Sequence, residues 1–248
     1  MPVYDYIRQR LKEQTALLTI LIDPGKTDGE TLRRMAGHSR ELGIDLFLVG
    51  GSLLSSDMMD NTLSLLKQSG DTPVVIFPGG AQQLSARADA LLFLSLLSGR
   101  NPEFLIGQQV ISAPLIHQMG LEALSTAYLL VESGRTTSVE FMSGSKPLPG
   151  HKPDIAVAHA LAARYLGFKM IYLEAGSGAE RSVPDSLITA VKKHIDIPLI
   201  VGGGLRSTAD VQAKVKAGAD IIVIGTHFEH NDPFDQILQF SQHTRSPR

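Results

Sequence analysis

The chain has 248 residues, of which 43% are hydrophobic, with 23 basic and 25 acidic side chains, a formal net charge of −2 and no cysteine or tryptophan. That length and apolar content suit a sizeable folded core rather than disorder, and the lack of cysteine excludes disulfides, iron–sulfur clusters, thiolate zinc sites and a catalytic thiol. The near-even charge balance excludes a nucleic-acid binder that works by bulk electrostatics.

The first six residues lead into the charged run 8–13, with no apolar segment of signal-peptide length. The longest uncharged apolar stretch, 90–97, falls far short of the ~20 residues needed to cross a bilayer, so a soluble, cytoplasmic protein is expected. Short apolar runs then recur at 17–23, 46–50, 74–77, 90–96, 127–132, 170–174, 199–201 and 221–224. They are continuous rather than alternating, as parallel strands covered on both faces are.

Helical patterns lie between them. The span 31–42 carries Leu32, Met35, Ala36 and Leu42 and stops at Gly43; 55–70 opens on Ser55-Ser56-Asp57 and ends on Gly70. The span 154–167 sets Ile155, Ala158, Leu161, Ala162 and Tyr165 on one face, and 210–218 and 233–240 repeat the theme. The connection 78–89 is too short for a good helix, and 132–153 is long, rich in Ser, Gly and Pro, and reads as a mobile flap. Eight strand–helix units of ~31 residues predict an α/β fold, a (β/α)8 TIM barrel with a weak or missing third helix, forming a single domain over 1–248. An open doubly wound sheet is the alternative.

The last third carries the clearest functional signal. The seventh apolar run leads into Gly202-Gly203-Gly204 and a helix start, and the eighth ends in Gly225-Thr226. Glycines let backbone N–H groups approach an anion, and barrels that bind phosphate do so after strands seven and eight. The sixth run ends Tyr172-Leu173-Glu174-Ala175-Gly176-Ser177-Gly178. Its turn adds donors to the same ligand, and Glu174 is placed to be a general base. The first run ends in Asp23, a Mg2+ ligand or general-base candidate before Pro24-Gly25-Lys26; the second leads to Ser52, another oxygen donor.

Other patterns are weaker. Gly25-Lys26-Thr27 looks like the end of a P-loop, but Ile20 stands where that motif needs glycine. Asp57 and Asp60 fit a helix first turn, where acids complement the dipole. The eight histidines show no zinc-ligand spacing, and no Gly-x-Gly-x-x-Gly follows the first strand.

Together, Ile22-Asp23-Pro24-Gly25-Lys26, Val49-Gly50-Gly51-Ser52, Asn101-Pro102, the stretch 128–132, Lys146-Pro147-Leu148-Pro149, the stretch 172–178, the stretch 201–206 and Gly225-Thr226 resemble the geranylgeranylglyceryl phosphate synthase family along nearly the whole chain. The resemblance implies a Mg2+-dependent prenyltransferase that joins sn-glycerol 1-phosphate to a polyprenyl diphosphate through an ether bond. It implies Mg2+ on Asp23 and Ser52, and a glycerol phosphate site lined by Tyr172, Leu173, Glu174, Ala175, Gly176, Ser177 and Gly178, with Glu174 as base. Gly203, Gly204, Gly225 and Thr226 would bind the phosphate, and a homo-oligomer, dimer or larger, is implied. The chain departs from the family at Glu132-Ser133-Gly134-Arg135, where Glu-Pro-Gly is expected, which bears on the flap conformation rather than the chemistry. A sugar-phosphate isomerase on a similar barrel, or a non-catalytic phosphate-binding subunit, are the competing readings.

Overall fold

The computed structural model describes residues 1–51, 56–225 and 233–245. Along the chain the elements are α1 (Val3–Glu13), β1 (Leu17–Ile22), α2 (Gly29–Gly37), α3 (Ser39–Leu42), β2 (Leu46–Val49), α4 (Ser56–Ser69), β3 (Val74–Ile76), a 3-10 turn (Ala81–Gln83) and β4 (Ala90–Leu96). They continue with a π turn (Glu103–Gly107), α5 (Gln108–Met119), β5 (Glu122–Leu130), α6 (Ser138–Ser143), α7 (Pro153–Tyr165), β6 (Met170–Glu174), α8 (Asp185–Lys192), β7 (Leu199–Gly202), α9 (Thr208–Ala217), β8 (Ile221–Ile224) and α10 (Phe234–Thr244). The eight strands follow one another in sequence order in a closed barrel, and the strand pairs with a defined register are all parallel.

The chain packs as two compact units. The first comprises Met1–Leu92, Ile111–Ala123 and Ile224–Arg248; the second comprises Phe93–Val110 and Leu124–Val223. In the first, Leu17, Leu18, Ile20, Phe47, Val49 and Ile76 on the strands are fully buried, with Met35, Met59 and Leu63 packed from the helices. In the second, Leu129, Ile171, Tyr172, Leu173 and Val201 are covered by Leu187, Ile188, Val191 and Val211. Burial on both faces of these short strands accounts for their continuous apolar composition.

One device repeats at strand starts. Asp45, Asp89 and Asp220 each donate their own N–H to a carbonyl of the neighbouring strand, Leu18, Val74 and Leu199 respectively, at 2.9 Å. Each carboxylate then accepts the N–H of that same residue, at 2.9, 2.8 and 2.8 Å. A cation neutralises each one: Arg10 on Asp45 at 3.0 Å, Lys67 on Asp89 at 2.6 Å, and Lys192 on Asp220. The strand beginnings are thereby closed off, which leaves the opposite, C-terminal strand ends for loops with chemistry.

Two connections differ from ordinary βα units. After β3 the expected helix shrinks to Ala81–Gln83, as the short 78–89 connection predicts. Fully buried Gln83 stands in for it: its Oε1 accepts from Gly79 N–H at 2.9 Å and its Nε2 donates to the Gly51 carbonyl at 2.6 Å. The 132–153 segment, expected as a flap, carries α6 and is pinned by Leu148 N–H to Leu130 O at 2.8 Å and Glu132 N–H to Leu148 O at 2.9 Å. Among the described residues no helix is long and apolar enough to cross a membrane.

Candidate active site

Parallel pairing of β5, β6 and β7 sets Tyr128 beside Tyr172, and Leu130, Glu174 and Gly202 at matching levels. Residues two apart on a strand share a face, so Tyr172 and Glu174 project together while Leu173 points the other way into a fully buried position. The two tyrosine rings meet edge to face, with centroids 5.3 Å apart at 67°. Tyr172 and the Glu174 carboxylate lie near enough to influence each other's titration, and Gly176 N–H donates to Glu174 Oε1 at 2.6 Å.

Glu174 is only 5% exposed. Burial pushes its carboxyl above the ordinary carboxylate range, and the Tyr172 and Gly176 donors pull against that shift. Burial first, and the Glu174 charge second, push both phenols well above their usual value, so they remain proton donors. A buried carboxylate with a raised pKa, oriented by the Gly176 N–H at the end of a barrel strand, is suited to accept a proton.

The triple glycine does more than form a turn. A Cβ on Gly202 would lie 2.4 Å from the Tyr172 hydroxyl oxygen. A Cβ on Gly203, whose φ is +83°, would lie 2.4 Å from Glu174 Oε1 and 2.7 Å from Gly176 N. A Cβ on Gly204, whose φ is +70°, would lie 3.0 to 3.2 Å from the Arg181–Ser182 backbone. Space for the Tyr172–Glu174 pair and close approach of the two glycine turns therefore both require the absence of side chains here. The N–H groups of Gly178, Gly203 and Gly204 take no acceptor among the described residues and remain available to an anion. The N-terminus of α9, by contrast, is already occupied: Ser207 and Asp210 form a capping box, and Arg206 and Ser207 N–H groups bond Asp210 Oδ2 at 3.0 and 2.9 Å. The capping box thus takes up the Arg206, Ser207 and Asp210 N–H groups.

The remaining expected residues are placed as follows. Ala175 is buried, and its N–H bonds the Gly202 carbonyl at 3.0 Å. Ser177 is exposed on the 176–178 turn. Asp23 and Gly225 belong to the first unit, at the ends of β1 and β8. The Asp23 carboxylate, 24% exposed, pairs with Lys26 Nζ at 2.6 Å. Ser52 and Thr226 lie outside the described residues. Among the described residues no three carboxylate or imidazole groups cluster as a metal cage.

Sequence reasoning did not assign Arg135, Thr137 or Arg206 to this region. Thr137, the N-cap of α6, packs on Gly176: a Cβ there would lie 2.3 Å from Thr137 Cγ2. Arg206 Nη2 donates to the Ala179 carbonyl at 2.8 Å. The family pattern Glu-Pro-Gly, matched here by Glu132 and Gly134 with Ser133 in place of proline, carried no signal for Arg135.

The sequence pattern of the PcrB family matches residues 8–243. The chain belongs to the PcrB family. Geranylgeranylglyceryl phosphate synthase of Thermococcus kodakarensis is 45% identical over 228 residues, 92% of this chain and 89% of its own. The enzyme of that name from Spirosoma linguale is 44% identical over 212 residues, 86% and 85% of the two chains. The crystal structure of (S)-3-O-geranylgeranylglyceryl phosphate synthase from Thermoplasma acidophilum, in complex with its substrate sn-glycerol-1-phosphate, aligns with a TM-score of 0.91 at 34% identity over 99% of each chain. The family resemblance carried by the strand-end motifs is therefore shown by relatives spanning nearly the full chain, and the closed barrel is shared with a member of the same family.

Proposed function

We propose that this protein is a prenyltransferase that joins a polyprenyl group, geranylgeranyl in the first instance, to sn-glycerol 1-phosphate through an ether bond, releasing diphosphate, in ether-lipid biosynthesis. The observation that carries this reading is Glu174: a buried carboxylate with a raised pKa, held by the Gly176 N–H beside glycine N–H groups open to an anion. The relatives and the glycerol phosphate-bound neighbour supply the substrate class.

The glycine turns at 176–178 and 203–204 hold the phosphate, with Gly225 and Thr226 as further expected contacts. Anchoring the phosphate brings the substrate hydroxyl to Glu174, which converts a bimolecular encounter into a positioned one. The hydroxyl oxygen attacks the allylic carbon of the prenyl chain, its proton passes to Glu174, and the carbon–oxygen bond to diphosphate breaks. The Gly176 N–H keeps the carboxylate aimed throughout. Leu173 and Ala175 support the turn from the buried side.

Asp23 suits a Mg2+ ion that takes one or two protein oxygens and completes its shell from substrate phosphates, because it is a partly exposed carboxylate already holding a cation, Lys26. Asp23 would hold the ion, with Ser52 as the expected second donor; when bound, Mg2+ supplies Lewis-acid stabilisation of charge on the leaving diphosphate. The whole chain, 1–248, would act as one phosphate-binding domain, as a homo-oligomer with a cytoplasmic location.

The test is an assay of the purified protein with prenyl diphosphates of increasing length, against sn-glycerol 1-phosphate and its mirror-image ester, with and without chelator. The expected outcome is an ether product from the sn-1 ester alone, lost in chelator. Turnover of the phosphate ester that needs no prenyl diphosphate overturns the reading in favour of a sugar-phosphate isomerase, and ether formation that survives chelation overturns the Mg2+ assignment.

A further inference from the structure

A phosphate monoester carries close to two negative charges near neutral pH, and the donors found so far at the 176–178 turn are backbone N–H groups with only partial charge. The 133–137 segment brings a full charge to the same turn. Arg181 N–H donates to the Ser133 carbonyl at 3.1 Å, and Thr137 packs on Gly176, so the two segments are fastened at both ends. Between those fastenings Gly134 adopts φ +97°, which any side chain would strain, and a Cβ there would meet Glu180 Oε2 at 2.9 Å and Arg181 Nε at 3.3 Å. The following residue, Arg135, then reaches across the turn. A Cβ on Gly178 would lie 2.5 Å from Arg135 Nη2, and Gly178 itself has φ +68°. Glycine at 178 and arginine at 135 are thus complementary: the guanidinium occupies the space the missing side chain leaves. Arg135 is exposed and makes no ion pair with a carboxylate among the described residues, so its charge is not neutralised within that part of the protein.

We infer that Arg135 is a substrate-binding residue whose guanidinium contacts the phosphate of glycerol 1-phosphate in the 176–178 turn. This inference rests on the proposed reading of that turn as the glycerol phosphate site. A planar guanidinium suits a phosphate because two parallel N–H donors meet two phosphate oxygens.

The experiment compares wild type, Arg135→Gln, Arg135→Lys and Ser177→Ala for the KM of each substrate, kcat, melting temperature and competitive inhibition by inorganic phosphate. Arg135→Gln is expected to raise the glycerol phosphate KM and the phosphate inhibition constant about 10- to 100-fold, the range for a hydrogen bond to a charged group. Its KM for prenyl diphosphate, its inhibition by inorganic diphosphate and its melting temperature should stay at wild-type values, and Arg135→Lys should recover part of the loss. A melting temperature that falls while phosphate inhibition is unchanged overturns the inference and makes Arg135 structural. If Ser177→Ala weakens phosphate and Arg135→Gln does not, the turn is the phosphate site and Arg135 is not part of it. If neither variant alters phosphate or glycerol phosphate binding, the reading of the turn itself fails and the inference fails with it.

Discussion

At the scale of single residues, Glu174 joins chemistry to stability, because its buried carboxyl titrates above the ordinary range. A base acts only when deprotonated, so kcat/KM should fall as pH drops through that raised pKa, giving an acid limb above the normal carboxylate region. Glu174→Gln should lower kcat about 10²- to 10⁴-fold at saturating substrates, the usual worth of a positioned general base, and erase that limb. Full turnover by the variant ends the base assignment. The stability consequence has a definite sign. The folded state keeps the proton to higher pH than the unfolded chain does, so it binds more protons from about the ordinary value of 4.5 upward. Wild-type stability therefore falls as pH rises through that window, and Glu174→Gln should be more stable relative to wild type at pH 8 than at pH 4, as read by urea unfolding. Tyr172→Phe removes the neighbouring hydroxyl that favours the ionised carboxylate, so the acid limb should move to still higher pH, and a limb that stays in place or moves down contradicts that influence of Tyr172 on Glu174. The Glu174 position was legible in the sequence as the last residue of an apolar run before Gly-Ser-Gly. Its place beside the Tyr172 hydroxyl was not, because the room for that hydroxyl depends on Gly202 standing opposite on another strand.

At the scale of elements, strand starts carry stability and strand ends carry chemistry. Asp220 is 2% exposed, satisfies both Leu199 backbone groups and holds Lys192. Asp220→Ala leaves the Leu199 N–H buried and unpaired, which costs about 1–3 kcal/mol, so the urea midpoint should fall while the substrate KM values are unchanged. A KM shift comparable to the stability loss would mean that the two ends are coupled. Seven of the eight strands, all but β5, begin and end within a residue of the expected spans, because burial on both faces writes a continuous apolar run. Strand β5 begins at Glu122, five residues before the expected start at 127. Glu122 is where sequence reasoning fails: its carboxylate accepts the N–H groups of Val3 and Tyr4 at 2.5 and 3.2 Å and caps α1 from 118 and 119 residues away. A cap that distant leaves no local signature, and α1 itself was read only as a charged run. Helix 31–42 divides at His38 into α2 and α3. Helix α5 was missed because it has no amphipathic period and holds Pro114.

At the scale of the whole molecule, that absence of a period has a meaning of its own. Ile111, Leu115 and Met119 stand four residues apart along α5, hence on one stripe of its surface, and are 59%, 42% and 37% exposed. An apolar stripe on a helix is ordinarily covered, by a core or by another chain. A second copy of the same chain is the simplest cover, since a two-fold axis sets the stripe against itself and each apolar residue meets another. The near-neutral charge, −2 over 248 residues, puts little electrostatic repulsion in the way of such pairing. The homo-oligomer implied by the family resemblance is therefore expected to use this stripe. Leu115→Glu places a charge in its centre, where pairing would bury it without a partner, while in the monomer the position is solvent-facing and the change costs little, within about 0.5 kcal/mol. Light scattering after size exclusion should show the wild type as a dimer or larger and Leu115→Glu reduced to a smaller species with an intact far-ultraviolet spectrum. A variant that keeps the wild-type mass places the self-association on another face, and a monomeric wild type removes the homo-oligomer from the proposed function.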